Sequence, residues 1–289
     1  MSTFLKGHGT ENDFVIIPDP ENAIALSPTA VAALCDRRAG IGGDGVLHVV
    51  RSAAHPEARH MADEAEWFMD YRNGDGSVAE MCGNGVRVFA RYLQHAGHVG
   101  EGDLAVATRG GVKAVHIDKE GLITVGMGRA TLPEGDVTVR VDERTWPATN
   151  VSMGNPHAVA FVADLAHAGT LYDAPSFAPA NAYPEGVNVE FVVDRGPQHV
   201  AMRVHERGSG ETRSCGTGAC AVAVATARRD GLNPAVTGAP VTYEIDLPGG
   251  RLTITERADG EIEMTGPAVI VAEGRLDTDW FAAVETVNQ

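Results

Sequence analysis

The sequence predicts an α/β chain of the α+β type: largely antiparallel sheet, few helices, two related halves. Three observations lead there. Short apolar or alternating runs recur between tight turns, the pattern of antiparallel strands. A loop, a cysteine and a helix start recur in one order, about half the chain apart. A stretch near residue 220 is apolar on every helical face, so other elements must enclose it.

In chain order, the first half offers strands at 14–17, 46–50, 67–71, 104–108, 112–117 and 122–125. The second offers 137–141, 159–162, 187–193 and 200–204. Over 241–247, Val241, Tyr243, Ile245 and Leu247 alternate with polar residues, as a half-buried strand does. Ser27-Pro28 ahead of Ala30, Val31, Leu34 and Cys35, closed by Gly40, reads as a capped helix. A second helix is predicted over 84–96, stopping at Gly97, and a third over 216–229, stopping near Gly231. The third holds Ala219, Cys220, Ala221, Val222, Ala223, Val224 and Ala225, small enough for a sheet to wrap closely around it.

The repeat is short but ordered. Gly74-Asp75-Gly76-Ser77 precedes Cys82-Gly83-Asn84-Gly85, and Gly208-Ser209-Gly210-Glu211 precedes Cys215-Gly216-Thr217-Gly218. A duplicated half-domain explains this economically. The expected domains are 1–128, carrying Cys82, and 129–266, carrying Cys215, divided where Gly126, Gly128, Pro133 and Gly135 cluster. The tail, 267–289, is expected to return to the first domain.

Composition narrows the function. The chain has 289 residues, 44% apolar and 21% charged, as a globular protein does. A net charge of −16 without a basic face argues against nucleic acid and against an anionic membrane as partner. The start has no apolar leader, and the run 219–227 is too short to span a bilayer. Four cysteines without dense spacing suggest reduced thiols in a cytoplasmic protein. Of 23 basic residues only Lys6, Lys113 and Lys119 are lysines, and none sits ahead of a glycine-rich phosphate loop. Pyridoxal chemistry is therefore disfavoured, and no cofactor and no metal are expected.

A cysteine at a helix start lies beside unpaired N–H groups and the positive end of the helix dipole, which lower a thiol's pKa. Following glycines let backbone approach a ligand. The N–H groups of Gly83, Asn84, Gly216 and Thr217 could then hold a small-molecule carboxylate. Removing the α-proton of an amino acid makes a carbanion, whose charge such dipoles stabilise. A thiolate on one face takes the proton and a thiol on the other returns one, inverting the centre. Cys35 and Cys220, within apolar helices, read as buried hydrophobes.

Seven blocks in order carry a resemblance to the diaminopimelate epimerase family over essentially the whole chain. They are His8-Gly9-Thr10-Glu11-Asn12-Asp13-Phe14, Gly40-Ile41-Gly42-Gly43-Asp44-Gly45, Tyr71-Arg72-Asn73-Gly74-Asp75-Gly76, Glu80-Met81-Cys82-Gly83-Asn84-Gly85, Gly154-Asn155-Pro156-His157, Glu206-Arg207-Gly208-Ser209-Gly210-Glu211-Thr212 and Cys215-Gly216-Thr217-Gly218-Ala219-Cys220. The resemblance implies two pseudo-symmetric domains, each a sheet wrapped around a central helix, in a homodimer. It implies conversion of LL-diaminopimelate to the meso form for lysine and peptidoglycan synthesis, with Cys82 and Cys215 as catalytic acid/base pair. Asn12, Asn73, Asn155 and Asn188 are similar to substrate contacts, Glu206 and Arg207 to groups reading ammonium and carboxylate, and His157 and Glu206 to modulators of the thiol pKa values. Asparagine suits a zwitterion because it both donates and accepts, and an arginine fork matches a carboxylate. Without the resemblance, Asn73 and Asn155 read equally as turn residues and Glu206-Arg207 as a solvated pair. Two departures stand out: Gly45 falls where some members carry a substrate-contacting glutamine, and 55–66 reads as a surface insertion.

Other readings meet specific objections. A proline or hydroxyproline racemase of the same fold would share the cysteines but would not need Glu206-Arg207 for a second amino-acid head. A cysteine hydrolase using Cys215, His157 and Asn155 leaves Cys82 unexplained. Zinc binding lacks Cys-x-x-Cys, and dinucleotide binding lacks the third glycine and the helix directly after it.

Overall fold

The computed structural model describes residues 3–286. They form a strand-rich α+β fold in two compact units, Met1–Val125 with Pro267–Gln289, and Gly126–Gly266. The first unit contains β1 (Thr3–Gly9), β2 (Asn12–Pro18), α1 (Pro28–Cys35), β3 (Gly45–Arg51), β4 (Trp67–Asn73), α2 (Gly83–His95), β5 (Gly102–Thr108), β6 (Gly111–Ile117) and β7 (Ile123–Arg129), the last running past the unit boundary. The second contains β8 (Val137–Val141), β9 (Arg144–Ser152), β10 (Pro156–Phe161), β11 (Ser176–Ala178), β12 (Asn188–Gly196), β13 (His199–Glu206), β14 (Gly210–Thr212), α3 (Gly216–Arg229), α4 (Pro234–Thr237), β15 (Val241–Leu247), β16 (Gly250–Glu256) and β17 (Glu261–Gly266). The chain ends in β18 (Val269–Arg275), paired antiparallel with β1, and α5 (Thr278–Thr286).

Each unit repeats one pairing scheme. β1 and β2 are antiparallel, β2 and β3 parallel, β3 and β4 antiparallel. β9 and β10 are antiparallel, β10 and β12 parallel, β12 and β13 antiparallel. Each unit then inserts its long helix and returns with a strand parallel to the last: β5 beside β4, and β15 beside β13. An antiparallel run follows in both, β5–β6–β7 and β15–β16–β17. The duplication seen in the cysteine loops thus extends to the main strand order, with β11 and β14 particular to the second unit.

The long helices are enclosed, as the sequence required. α2 packs against β1, β2, β3, β4, β6 and β18, and α3 against β9, β10, β12, β13, β15, β16 and β17. Along α3 every residue from Gly218 to Ala227 is buried. Buried small residues let strands approach closely, and in the other unit glycine performs that role: a Cβ on Gly7 of β1 would stand 2.9 Å from Val269 O and 3.0 Å from Val88 Cγ1. Ser27 caps α1, its Oγ accepting from Ala30 N at 3.1 Å.

The region 55–66 differs from the expected surface insertion. Ala58, Met61 and Ala65 are buried with Phe68 and Ala107 in a small core of their own. The His55 ring lies 4.7 Å from that of Phe68, and Arg109 donates to Glu57. Apolar residues three and four apart, carried by short helical turns, supply a buried side that the polar composition hid. Among the described residues, no helix is long and apolar enough to cross a membrane.

Candidate active site

In the first unit the site begins with a turn. Thr10 and Glu11, between β1 and β2, both take positive φ, 50° and 63°. That is the two-residue hairpin geometry normally given to Asn-Gly, and here it costs strain, most of all at β-branched Thr10. Arg87 of α2, fully buried, holds the turn by donating to Thr10 Oγ1 at 3.2 Å. The turn delivers Asn12 to the head of α2. Its Nδ2 donates to Asp44 at 2.7 Å, so its Oδ1 faces the helix and accepts from Asn84 Nδ2 at 3.2 Å and from the Cys82 thiol at 3.6 Å. Arg37 links Asp44 to Asp13 at 2.7 Å each, and Lys6 also pairs with Asp13. Burial alone would raise the Asp13 carboxyl, but Arg37 and Lys6 outweigh it and hold it at about 2.

Cys82 is the N-cap of α2, with Sγ accepting from Gly85 N at 3.4 Å. Gly83 and Asn84 occupy the first two helical positions. Asn73 is committed to its own turn, accepting from the Tyr71 hydroxyl at 2.9 Å and donating to Ser77 Oγ at 3.0 Å. Gly45 admits no side chain, since a Cβ there would meet Arg72 O at 2.4 Å. A glutamine contact cannot arise at this position; Asp44 beside it holds Asn12 instead.

The second unit repeats the cap. Cys215 precedes α3 with φ −119° and ψ 112°, against −137° and 116° at Cys82, and its Sγ accepts from Gly218 N at 3.3 Å. Gly216 and Thr217 are the first helical residues, and Thr217 Oγ1 is 3.6 Å from the sulfur. Asn155 Nδ2 donates to that hydroxyl at 3.3 Å, while its Oδ1 lies 3.1 Å from His157 Nε2. His157 Nδ1 lies 2.6 Å from Glu190 Oε1, and both side chains are fully buried. Five groups thus form one chain: Glu190, His157, Asn155, Thr217 and Cys215.

Here one expectation fails. A helix start was expected to lower the thiol, but Cys215 is pushed well above the ordinary thiol range. Burial is the main cause, followed by the charges of Glu206 and Glu190; the Thr217 hydroxyl and Gly218 N–H pull the other way and lose. Glu206 is itself raised by burial, although Thr212 and Cys215 both hydrogen-bond its carboxyl. Such neighbours titrate as a coupled set. Cys35 behaves as a buried hydrophobe, raised to about 11 by burial.

Asn188 and Arg207 serve each other: Asn188 Oδ1 accepts from Arg207 N at 2.9 Å, and the exposed guanidinium reaches Glu185 O at 3.3 Å. The structure therefore gathers Asn12, Cys82 and Asn84 in one unit, and Asn155, His157, Thr217, Glu206 and Cys215 in the other. Asn73, Asn188 and Arg207 bond away from the thiols. Glu190 was missed, though alternation puts it on the same strand face as Asn188. Among the described residues no group of three His, Cys, Asp or Glu side chains is arranged to hold a metal ion, and Lys6 is engaged with Asp13 and Gly42 O.

Fold and thiols together define a class of two-unit α+β protein. Solved structures share the fold at low identity: a phenazine biosynthesis protein of the PhzF family from Bacillus anthracis, with TM-score 0.71 at 14% identity, covering 96% of this chain and 99% of that one. A hydroxyproline epimerase from Agrobacterium vitis superposes with TM-score 0.63 at 16%, covering 99% and 98%. Sequence sets the family. The diaminopimelate epimerase family model matches residues 4–133 and 149–271. A diaminopimelate epimerase from Streptomyces coelicolor is 83% identical over 98% of this chain and 99% of its own, and one from Thermobifida fusca 48% identical over 94% and 96%. The chain belongs to the diaminopimelate epimerase family.

Proposed function

We propose that this isomerase converts LL-diaminopimelate to the meso form by cofactor-independent proton transfer between Cys82 and Cys215, in the synthesis of lysine and peptidoglycan. One observation carries the mechanism: both cysteines cap matching helices in matching units, each sulfur accepting from the N–H three residues on.

One cysteine, as thiolate, takes the α-proton and becomes a thiol. The electron pair left on carbon is delocalised onto the substrate carboxylate. The helical N–H groups of Gly83, Asn84, Gly216 and Thr217 are suited to hold that carboxylate. The second cysteine, as thiol, delivers its proton to the opposite face and becomes the thiolate. The enzyme ends with the two protonation states exchanged, so the reverse reaction starts from the state just made. Asn12 at Cys82, and Asn155 through Thr217 at Cys215, orient the sulfurs. Glu206 supplies a carboxylate for an ammonium, and Arg207 a guanidinium for the remote carboxylate once it leaves Glu185. Homodimer formation and a cytoplasmic location belong to the same reading, supported by family membership; sedimentation of the purified protein tests the first.

The test is LL-diaminopimelate in deuterated water with wild type, Cys82→Ala and Cys215→Ala. The expected result is one deuteron at each inverted centre for wild type and no inversion by either variant. Turnover of proline in place of diaminopimelate, or full activity in Cys82→Ala, contradicts it.

A further inference from the structure

The common register of the two units reveals a difference beneath the thiols. In the first unit Phe14 of β2 pairs with Gly45 of β3, so Leu47 is the next residue along the same face of β3. In the second, His157 of β10 pairs with Asn188 of β12, and Glu190 takes the matching place. Packing at the helix starts agrees. Leu47 Cδ2 lies 3.3 Å from where a Cβ on Gly85 would stand, and Glu190 Oε1 lies 2.9 Å from the corresponding point on Gly218. An apolar pair, Phe14 and Leu47, thus occupies in one half the positions that His157 and Glu190 occupy in the other.

Stability does not ask for this carboxyl. Glu190 is fully buried, and its Oε2 has no hydrogen-bond partner. A buried polar atom left unmatched is costly, and the first unit shows that leucine fills the place. The groups facing Glu190 are His157 from β10, Glu206 from β13, Cys215 at the head of α3 and Tyr183 from the segment before β12. Only His157 among them can carry positive charge. Acidic groups thus gather around Cys215, where the matching positions of the first unit hold Phe14 and Leu47.

We propose that Glu190 is a positioning residue for the two-thiol reaction: its buried charge, matched in the other half only by Leu47, keeps the proton on Cys215 and makes the halves unequal at rest. Cys215 then waits as the thiol, and within the two-thiol reading Cys82 begins as the thiolate. The elevation of Cys215 by burial, Glu206 and Glu190 agrees with this geometry. A two-base enzyme gains by it, because the working state needs one thiol and one thiolate, and unequal sites fix which sulfur holds the remaining proton. The inference rests on the reading of Cys82 and Cys215 as the reacting pair.

The experiment is site-resolved alkylation of the full chain with iodoacetamide across pH, each cysteine quantified by mass spectrometry. Glu190→Gln removes the charge and keeps the shape. The Cys215 midpoint is expected to fall by about one pH unit while that of Cys82 stays put. Glu190→Leu, the residue of the other half, is expected to shift Cys215 the same way, and Glu190→Asp to leave it near wild type. An unmoved Cys215 midpoint in both charge-removing variants, or an equal shift at Cys82, overturns the proposal. So does loss of folding in both, which would make the carboxyl purely structural. Alkylation does not depend on turnover, so a failure of the two-thiol mechanism would show separately, in the inversion assay with the cysteine variants.

Discussion

Gly218→Ala should impair this enzyme although alanine is the better helix former. In a helix interior the exchange would gain about 1 kcal/mol. Here the new Cβ would stand 2.9 Å from Glu190 Oε1, 3.2 Å from Cys215 Sγ and 3.3 Å from Cys215 Cβ. The carboxyl is fully buried and cannot swing into water, and the sulfur is the helix cap. Overpacking of this kind costs about 1–3 kcal/mol. Net destabilisation of about 1 kcal/mol is expected in urea unfolding. The larger effect is on rate: moving a reacting atom by about 1 Å costs about a hundredfold, so a shift of a few tenths should lower kcat/KM by roughly tenfold. Gly85→Ala is the internal control. Its nearest neighbours, Cys82 Cβ and Leu47 Cδ2, both lie at 3.3 Å, and a leucine methyl can give way. A Gly218→Ala enzyme of full stability and activity, or a Gly85→Ala enzyme that suffers more, would refute the reasoning.

Three other outcomes follow from the geometry. Asp70 is 1% exposed, and although burial alone would raise its carboxyl, His48, Arg72 and Arg109 hold it well below the ordinary range. A lowered native value means stability fully present above the unfolded value of about 3.9 and lost as pH falls. Asp70→Asn should therefore cost about 3 kcal/mol at neutral pH and lose less further stability between about pH 5 and 2; an acid-unfolding curve parallel to wild type contradicts this. Asp44→Asn lets the Asn12 amide turn over, so kcat/KM should drop about tenfold with little change in urea midpoint, and unchanged kinetics would remove Asp44 from the site. Ser27→Ala deletes the α1 cap and should cost about 1 kcal/mol in urea unfolding without touching kinetics.

Much of the fold was legible because its signals are local. Ser27-Pro28 and Gly40 bracket α1, and the cysteine-glycine heads of α2 and α3 mark both helices and their duplication. Several strands were not read: β1, β16 and β17 despite their alternating burial, β9, which carries Pro147 and half-exposed residues, and β18, which exposes Val269 and Val271 while pairing with distant β1. Of the site, the residues that cap or adjoin the thiols could be read from spacing. The acidity of Cys215 could not, because it depends first on burial and then on Glu206 and Glu190, which β13 and β12 bring to it from elsewhere in the chain. The helix-start argument was sound for the N–H groups and incomplete for the carboxylates opposite them. Asn73 shows the reverse, a motif residue whose amide is used within its own turn.

The central claim is that two sulfurs serve a single carbon, and a disulfide map tests it directly. Thiols that reach one atom from opposite sides are each other's neighbour once the substrate has left, so mild oxidation is expected to join them. Treating the ligand-free enzyme with dilute diamide and mapping its peptides should yield a Cys82–Cys215 bond, loss of activity, recovery with dithiothreitol, and protection by diaminopimelate. Oxidation that inactivates without joining those two cysteines, or a joined pair that still turns over substrate, would contradict it.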